Sequence, residues 1–211
     1  HTYMGYILKF LNTKYFIVNN KDKIKNGFII SNHSSFIDFV YDIYITDTII
    51  LSHIKSLLIF PSIILSYLSN NILLFNRNNC KKRKNFHKRV LKEIGKNKTA
   101  LFYPEGFFKK YNEKITYELI EKNLKYGLLK NVYEFGNKPL QILISTNKEK
   151  VMGSLKYDFC DVNFGKIIYS KYSEPIYPKN FETFELFKDH IINEWVSIYN
   201  ELIEYEKNHI I

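Results

Sequence analysis

His33 and Asp38 are the residues whose types and spacing most directly suggest chemistry. They lie in the segment 31–38 (SNHSSFID), where a short apolar run ends and a helix-like pattern begins. An imidazole can accept a proton near neutral pH, and a nearby carboxylate can fix its tautomer and stabilise the imidazolium that forms. The pair is therefore suited to removing a proton from a hydroxyl group.

The separation of the two residues limits how they can meet. Five positions along a regular helix would leave the side chains about 140° apart, because each residue turns the helix by about 100°. Pairing therefore requires His33 before the helix and Asp38 within it, and the intervening serines are suited to capping the helix. A structural pair or two unrelated polar residues would show the same spacing, so the assignment depends on further features.

The elements around this pair predict a single α/β domain covering residues 1–211, with a central mostly parallel or mixed sheet flanked by helices. Short apolar runs alternate with longer segments of helical period. The predicted strands are 15–18, 28–31, 48–51, 99–103, 140–145 and 166–169. The predicted helices are 35–45, 56–67, 82–94, 117–131 and a long C-terminal one over 182–205. In this last helix an apolar stripe recurs every three or four residues, which predicts core packing: Phe184, Phe187, Ile191, Trp195, Ile198 and Leu202.

The charge balance favours anionic partners. Lys and Arg number 31 against 21 Asp and Glu, giving a formal net charge of +10. The basic run 80–92 (CKKRKNFHKRVLK) fits a solvated helix with a narrow apolar seam at Phe86, Val90 and Ile94, or a nucleic-acid-binding surface. Abundant Lys, Asn, Ile, Tyr and Phe are also typical of AT-rich coding sequence, so charge alone does not choose between phospholipid, nucleic acid and metabolite.

Cysteine and histidine usage argues against a disulfide framework or a metal site. Cys80 and Cys160 are the only cysteines, which favours a reducing compartment, and neither His53 nor His87 has a ligand at metal spacing. The longest apolar candidate, 56–68 (SLLIFPSIILSYL), is too short to span a bilayer and contains Pro61. Because the chain starts at His1, a membrane anchor upstream of the numbered sequence stays an open expectation.

Several blocks resemble one family of enzymes. The segment 32–38 (NHSSFID) resembles the NHx4D motif of the glycerolipid acyltransferases, which include the lysophosphatidate acyltransferases. Phe102–Gly106 (FYPEG) resembles the family's FPEG block, and later segments resemble its lysine-glycine, proline-strand and late blocks: 125–127, 138–144 and 173–176. Each block is short, but several in the usual order are jointly specific. The resemblance extends from about Gly27 to the C-terminus and implies a glycerol-phosphate acyltransferase-like fold.

The resemblance also implies roles for individual residues. His33 would be the general base and Asp38 its orienting partner, while Glu105 and Gly106 would belong to the substrate-binding region. Lys55, Pro61 and the run 73–77 (LLFNR) resemble the block of the acceptor-binding region, where Arg77 is the matching residue.

One departure from the family changes the expected acceptor site. The threonine and arginine that usually follow the Glu-Gly pair are replaced by Phe107 and Phe108. Lys109 and Lys110 come directly afterwards, and we expect them to contribute positive charge toward an acceptor phosphate together with Arg77.

The expected activity is transfer of a fatty acyl group from an acyl thioester to a hydroxyl of a lysophospholipid or glycerol-phosphate acceptor. Acyl-CoA or acyl carrier protein would be the donor substrate, with no bound cofactor and no metal. The expected partners are membrane phospholipids and the lysophospholipid acceptor rather than nucleic acid, at a membrane surface facing a reducing, cytoplasmic compartment. Two alternatives stay open: a catalytically silent lipid-binding relative and a nucleic-acid-binding protein.

Overall fold

Helices and strands alternate along the chain in the computed structural model, which describes residues 2–19, 21–53, 72–75, 88–94, 96, 98–111, 113–154 and 157–209. The helices in these ranges are α1 (Thr2–Phe10), α2 (Asp38–Thr46), α3 (88–94), α4 (Tyr117–Asn123), α5 (Tyr126–Phe135), α6 (Lys148–Val151) and α7 (Phe184–His209). The strands are β1 (Lys14–Ile17), β2 (Phe28–Ser31), β3 (Ile49–His53), β4 (Ile72–Phe75), β5 (Ala100–Phe102), β6 (Leu140–Thr146), β7 (Met152–Ser154), β8 (Tyr157–Val162) and β9 (Ile167–Tyr172).

A mixed, mostly parallel sheet forms the centre of the molecule. Within the described residues it has seven strands in the order β1-β9-β6-β2-β5-β3-β4. The central strand β2 pairs in parallel with β5 and β6, so that Phe28 lies opposite Ala100 on one side and Leu140 on the other. Among the described strands of this sheet only β6 and β9 pair in antiparallel fashion, while β7 and β8 form a separate antiparallel pair. The predicted α/β class with a mixed sheet is confirmed.

Both faces of the sheet are covered by helices. Phe28 and Ile30 of β2 point into the cluster that contains Trp195 of α7, whereas Ile29 points into the opposite cluster with Tyr41 of α2. This alternation follows from strand geometry, in which successive side chains face opposite sides. In α7 the predicted stripe is confirmed, because Phe187, Ile191, Trp195, Ile198 and Leu202 are all buried and Phe184 is half-buried against the same cluster.

Several element predictions differ from the structure. The predicted helix 117–131 is two helices, because Leu124 adopts an extended conformation and the Lys125 N–H donates to the Pro104 carbonyl (2.8 Å). The sequence patterns did not predict α1, α6, β4, β7 or β8. The predicted helix 56–67 lies outside the described residues, as does the first part of 82–94. None of the described helices combines the length and the apolar character needed to cross a bilayer.

Candidate active site

The turn between β2 and α2 places His33 and Asp38 in direct contact. His33 lies in the turn and Asp38 is the first residue of α2, as the spacing required. His33 Nδ1 is 2.7 Å from Asp38 Oδ2, and the same oxygen accepts the backbone N–H groups of Ser34 (2.8 Å) and Ser35 (3.1 Å). Asp38 therefore both contacts the imidazole and closes the turn that holds it.

The predicted N-capping by serine hydroxyls is wrong in detail. The residue before the helix is Ile37, which provides no side-chain cap. The hydroxyl of Ser35 instead accepts the Ile37 N–H (3.2 Å) and donates to the Met152 carbonyl, so it stabilises the turn and ties it to β7.

A group of fully buried charges lies behind the His33–Asp38 pair. Lys148 Nζ lies 3.2 Å from Asp38 Oδ1 and 3.5 Å from Asp42 Oδ2, and it donates to the Asn32 carbonyl at 2.9 Å. Burial favours the neutral acid, but Lys148 and the bond from His33 outweigh it and hold the pKa of Asp38 below its usual range. For Asp42 burial prevails and raises the pKa to about 6. Asp38 is thus a carboxylate at neutral pH.

Aromatic rings enclose the imidazole. The Tyr103 ring stacks on His33 with centroids 4.4 Å apart, and the Phe108 ring lies 4.2 Å away at a tilt. The Tyr103 hydroxyl also donates to Asp42 Oδ2 (2.9 Å), which links the ring that covers His33 to the buried charges. This packing restricts the orientation of the imidazole.

The loop after β5 holds the backbone of His33. Glu105 Oε2 accepts the His33 N–H (2.6 Å), Glu105 Oε1 accepts the Tyr111 hydroxyl (2.8 Å), and the Lys109 N–H donates to the His33 carbonyl (2.6 Å). Glu105 is 1% exposed, and burial raises its pKa to about 7. Gly106 follows with φ +71°, a left-handed conformation that favours glycine.

A cavity of about 310 Å³ opens beside the turn. It lies past the carboxyl ends of β2 and β6, where open α/β sheets commonly bind ligands. Most of the residues that line it are of polar type, and they come from the turn, the loop after β5, the end of β6 with α6, and α7: Asn32, Ser34, Lys109–Tyr111, Ser145–Asn147, Glu149, Lys150, Tyr199, Ile203, Glu206 and Lys207. Ser34 and Thr146 are among the lining residues, and their hydroxyls are buried and make no hydrogen bond to any described residue.

The structure brings most of the predicted site residues together. Lys109 and Lys110 line the cavity, whereas Glu105 lies behind His33 and bonds its backbone. Gly106 lies next to Lys125, whose Nζ would be 2.6 Å from a Cβ at the glycine. Arg77 lies outside the described residues, so its place in the site stays a prediction.

Sequence reasoning missed three residues that contact the pair or support it. Asp42 had a signal, because it lies four residues after Asp38 and therefore on the same helix face. Tyr103 is in the recognised FYPEG block, but nothing in the sequence shows that its hydroxyl bonds Asp42. Lys148 had no signal, because it lies in a polar run (NKEK) that is typical of an exposed turn.

The described residues offer no metal-binding cluster. No group of three or more His, Cys, Asp or Glu side chains within them is arranged to hold an ion. Within these residues, the chemistry available at the turn is proton transfer by the imidazole and electrostatic stabilisation by the hydroxyl and lysine groups around the cavity.

Comparison with known proteins places this site in a family. No curated protein sequence matches the chain. The crystal structure of the 1-acyl-sn-glycerophosphate (LPA) acyltransferase PlsC from Thermotoga maritima has a similar fold, with a TM-score of 0.63 and 15% identity over 96% of this chain and 82% of that chain. The family model described as Acyltransferase matches residues 15–146, which include the His33–Asp38 turn and the loop after β5. This match covers more than half of the sequence, and the chain belongs to the Acyltransferase family.

Proposed function

We propose that the protein transfers a fatty acyl group from an acyl thioester to a hydroxyl of a phosphate-bearing, lysophosphatidate-like acceptor. The observation that carries the proposal is the His33–Asp38 pair at the edge of a cavity lined by lysines. Family membership supports the acyl transfer, and the charge of the cavity supports an anionic acceptor.

The geometry defines how His33 would act as the base. An ionised Asp38 can only accept hydrogen bonds, so His33 Nδ1 must be the donor in their 2.7 Å contact. The neutral imidazole then has its lone pair on Nε2, where it can take a proton from the acceptor hydroxyl. Tyr103 and Phe108 hold the ring in this orientation.

The reaction then proceeds without a covalent acyl-enzyme. As Nε2 takes the proton, the acceptor oxygen bonds to the thioester carbonyl carbon and forms a tetrahedral oxyanion. The Ser34 hydroxyl is buried, lines the cavity and is available to donate to this oxyanion. Collapse breaks the carbon–sulfur bond, and the departing thiolate takes the proton from Nε2, which yields the ester and a free thiol.

The cavity lysines are proposed to bind the acceptor phosphate. Lys109 and Lys110 lie on the loop that also bonds the His33 carbonyl, so a phosphate on that loop would have a fixed relation to the base. Thr146 contributes a second buried hydroxyl to the same cavity. In this proposal Arg77 adds a further cation. Lysine binds phosphate as a point charge rather than as a bidentate fork, so the headgroup would be oriented less strictly than by arginine.

The donor and the location are further parts of the proposal. The donor is acyl-CoA or acyl carrier protein, with no bound cofactor. The protein would work at a membrane surface that faces a reducing compartment, which is supported by its net charge of +10 and its two cysteines.

The test compares acceptors with and without phosphate. We would measure kcat/KM for 1-acylglycerol-3-phosphate and for the corresponding monoacylglycerol with acyl-CoA and acyl carrier protein donors. The test variant is Lys109→Ala/Lys110→Ala. The control is Lys122→Ala/Lys130→Ala, which also removes two positive charges but takes them from exposed lysines of α4 and α5.

We expect the wild type to prefer the phosphorylated acceptor. For Lys109→Ala/Lys110→Ala, kcat/KM with that acceptor should fall about tenfold or more, since a charge-assisted contact contributes roughly 1.5–3 kcal/mol. Activity on the monoacylglycerol should change little, and the control variant should behave as wild type. Equal losses on both acceptors would reject phosphate recognition by these lysines, and no turnover with any acceptor would instead favour a lipid-binding relative.

A further inference from the structure

Lys148 is a fully buried cation in direct contact with the His33–Asp38 pair. Its Nζ lies between two carboxylates of α2, Asp38 (3.2 Å) and Asp42 (3.5 Å), and donates to the carbonyl of Asn32, the residue before His33 (2.9 Å). Lys148, Asp38 and Asp42 each have no exposed surface. One ammonium group therefore contacts the carboxylate that orients the base, a second carboxylate, and the backbone that carries the base.

We propose that Lys148 is a positioning residue that sets the charge next to His33, so that the imidazole stays neutral and able to accept a proton at working pH. The inference rests on the proposed function, because it assigns Lys148 a part in the same proton transfer. Lys148 would act through Asp38 and Asp42 and would not touch the substrate.

The charges of the buried group explain why a cation is needed. With both carboxylates ionised, Asp38, Asp42 and Lys148 together carry one net negative charge. This is the same net charge that a single aspartate would place next to a histidine. Without Lys148 no cation in the group would offset the two carboxylates, and the pKa of Asp42, which the Lys148 charge lowers, would rise further, so the buried group would bind protons more strongly. An imidazole beside two negative charges is drawn toward the imidazolium form, which cannot act as a base.

The connections of Lys148 also suit a positioning role. It lies in α6, directly after the strand β6 that pairs with β2, and Asn32 and Ser145 join these strand ends by two hydrogen bonds of 2.8 Å. Lys148 thus ties α6 to the turn and to α2 through three polar contacts of its ammonium group.

Other titratable groups face the buried charges and contribute to any pH dependence. They come from the turn, the helix α2, the loop after β5, the helix α6 and the strand β9: His33, Tyr41, Tyr103, Glu105, Glu149 and Tyr172. The same groups are present in each variant below, so differences between the variants isolate the charge of Lys148 and Asp42.

The experiment is a charge cycle of four proteins: wild type, Lys148→Met, Asp42→Asn and the double variant. For each we would measure the pH profile of kcat/KM for acyl transfer and, independently of turnover, the pH titration of the His33 ring signals by NMR, assigned with His33→Gln. Lys114→Met is the control, because it removes a lysine from the surface ion pair with Glu204.

The two single variants should shift the acid limb of the profile in opposite directions. Lys148→Met leaves two carboxylates without their cation, so the coupled group of His33, Asp38 and Asp42 should hold protons to higher pH and the limb should move up by about one unit. Asp42→Asn leaves one carboxylate balanced by Lys148 and should move the limb to lower pH by a similar amount. The double variant restores one negative charge and should return close to wild type. The His33 signals should follow the same order, and Lys114→Met should match wild type.

A role in packing alone would give a different result. Folded Lys148→Met would then have reduced stability but an acid limb and a His33 titration within about 0.3 pH unit of wild type, and this outcome overturns the proposal. If Lys148→Met does not fold, Asp42→Asn and the double variant decide, since neither leaves an uncompensated second carboxylate. If wild type transfers no acyl group, the proposed function fails, while the NMR titration still tests the role of Lys148.

Discussion

At the residue scale, burial changes the proton affinity of the acidic side chains around His33. Glu105 accepts the His33 N–H and the Tyr111 hydroxyl, and burial raises its pKa to about 7. The unfolded chain loses this proton near its ordinary value of about 4.3, whereas the folded protein retains it. The folded state therefore binds more protons between these values, and stability falls as the pH rises through this window.

Glu105→Gln should remove that dependence. Glutamine keeps an acceptor for the His33 N–H but has no proton to lose, so the variant should gain stability relative to wild type as pH rises from about 5 to 8. The gain has an upper limit of about 3 kcal/mol, which is the shift to about 7 expressed as free energy. Urea unfolding at both pH values measures it, with Glu113→Gln, an exposed position, as control. The same stability difference at both pH values would contradict the assignment.

Residue types and local spacing predicted that His33 and Asp38 could meet, which the structure confirms, but they did not predict the groups that support the pair. His33 and Asp38 are five residues apart, so their contact depends on one turn that the sequence itself indicates. Lys148 lies 110 positions after Asp38 and meets it only because β6 pairs in parallel with β2. No local pattern carries that information.

At the element scale, the turn after β2 and the loop after β5 are held together by hydrogen bonds to the backbone of His33. In this loop the Glu105 carboxylate accepts the His33 N–H, and the Lys109 N–H donates to the His33 carbonyl. Gly106 adopts the left-handed conformation (φ +71°) at which the loop turns. A change in the conformation of this loop would displace the imidazole of His33, although His33 itself lies in the turn after β2.

Gly106→Ala tests this coupling, with Gly136→Ala as a matched control. Both glycines have positive φ, +71° and +60°, so each variant should lose about 1–2 kcal/mol of stability. Only at Gly106 would the new Cβ crowd a neighbouring side chain, that of Lys125, whose Nζ would be 2.6 Å away, whereas at Gly136 the nearest atom is 3.8 Å away. We expect kcat/KM to fall about tenfold for Gly106→Ala alone, because small displacements of a base are costly. Equal activity of the two variants would show that the loop does not position His33.

The sequence predicted helices and strands correctly where a whole element is buried. It failed where contacts between distant residues determine where an element begins or ends. Strands β2 and β6 are buried along their length, so their apolar runs predicted them directly. The break between α4 and α5 had no local signal, since the bond from Lys125 to the Pro104 carbonyl fixes it. Helix α1 has three exposed aromatic residues, which blurred the apolar periodicity expected of a core helix: Tyr3, Tyr6 and Phe10.

At the scale of the whole molecule, we propose association with anionic membrane surfaces. The net charge is +10, and the exposed aromatic face of α1 is suited to the lipid interface. The apolar segment 56–68, which the sequence suggested for this role, lies outside the described residues.

Vesicle flotation tests the proposal. Wild type should bind vesicles that contain anionic lipid, and binding should weaken as salt rises because the charge interaction is screened. Tyr6→Ser/Phe10→Ser should reduce binding, while Val162→Ser/Leu186→Ser removes two other exposed apolar side chains and serves as control. Absence of binding at every salt concentration would reject the proposal, and equal binding by both variants would exclude α1 as the contact.

The most direct test of the whole account is acyl transfer by wild type, His33→Ala and Asp38→Asn, measured as labelled ester formed from an acyl thioester and a lysophospholipid. We expect both variants to fold with wild-type circular dichroism and to lose at least about 100-fold in kcat, since removing a general base or its orienting partner has effects of this size. His190→Ala, on α7, should retain wild-type activity. Transfer at the wild-type rate by folded His33→Ala would contradict the assignment of His33 as the base.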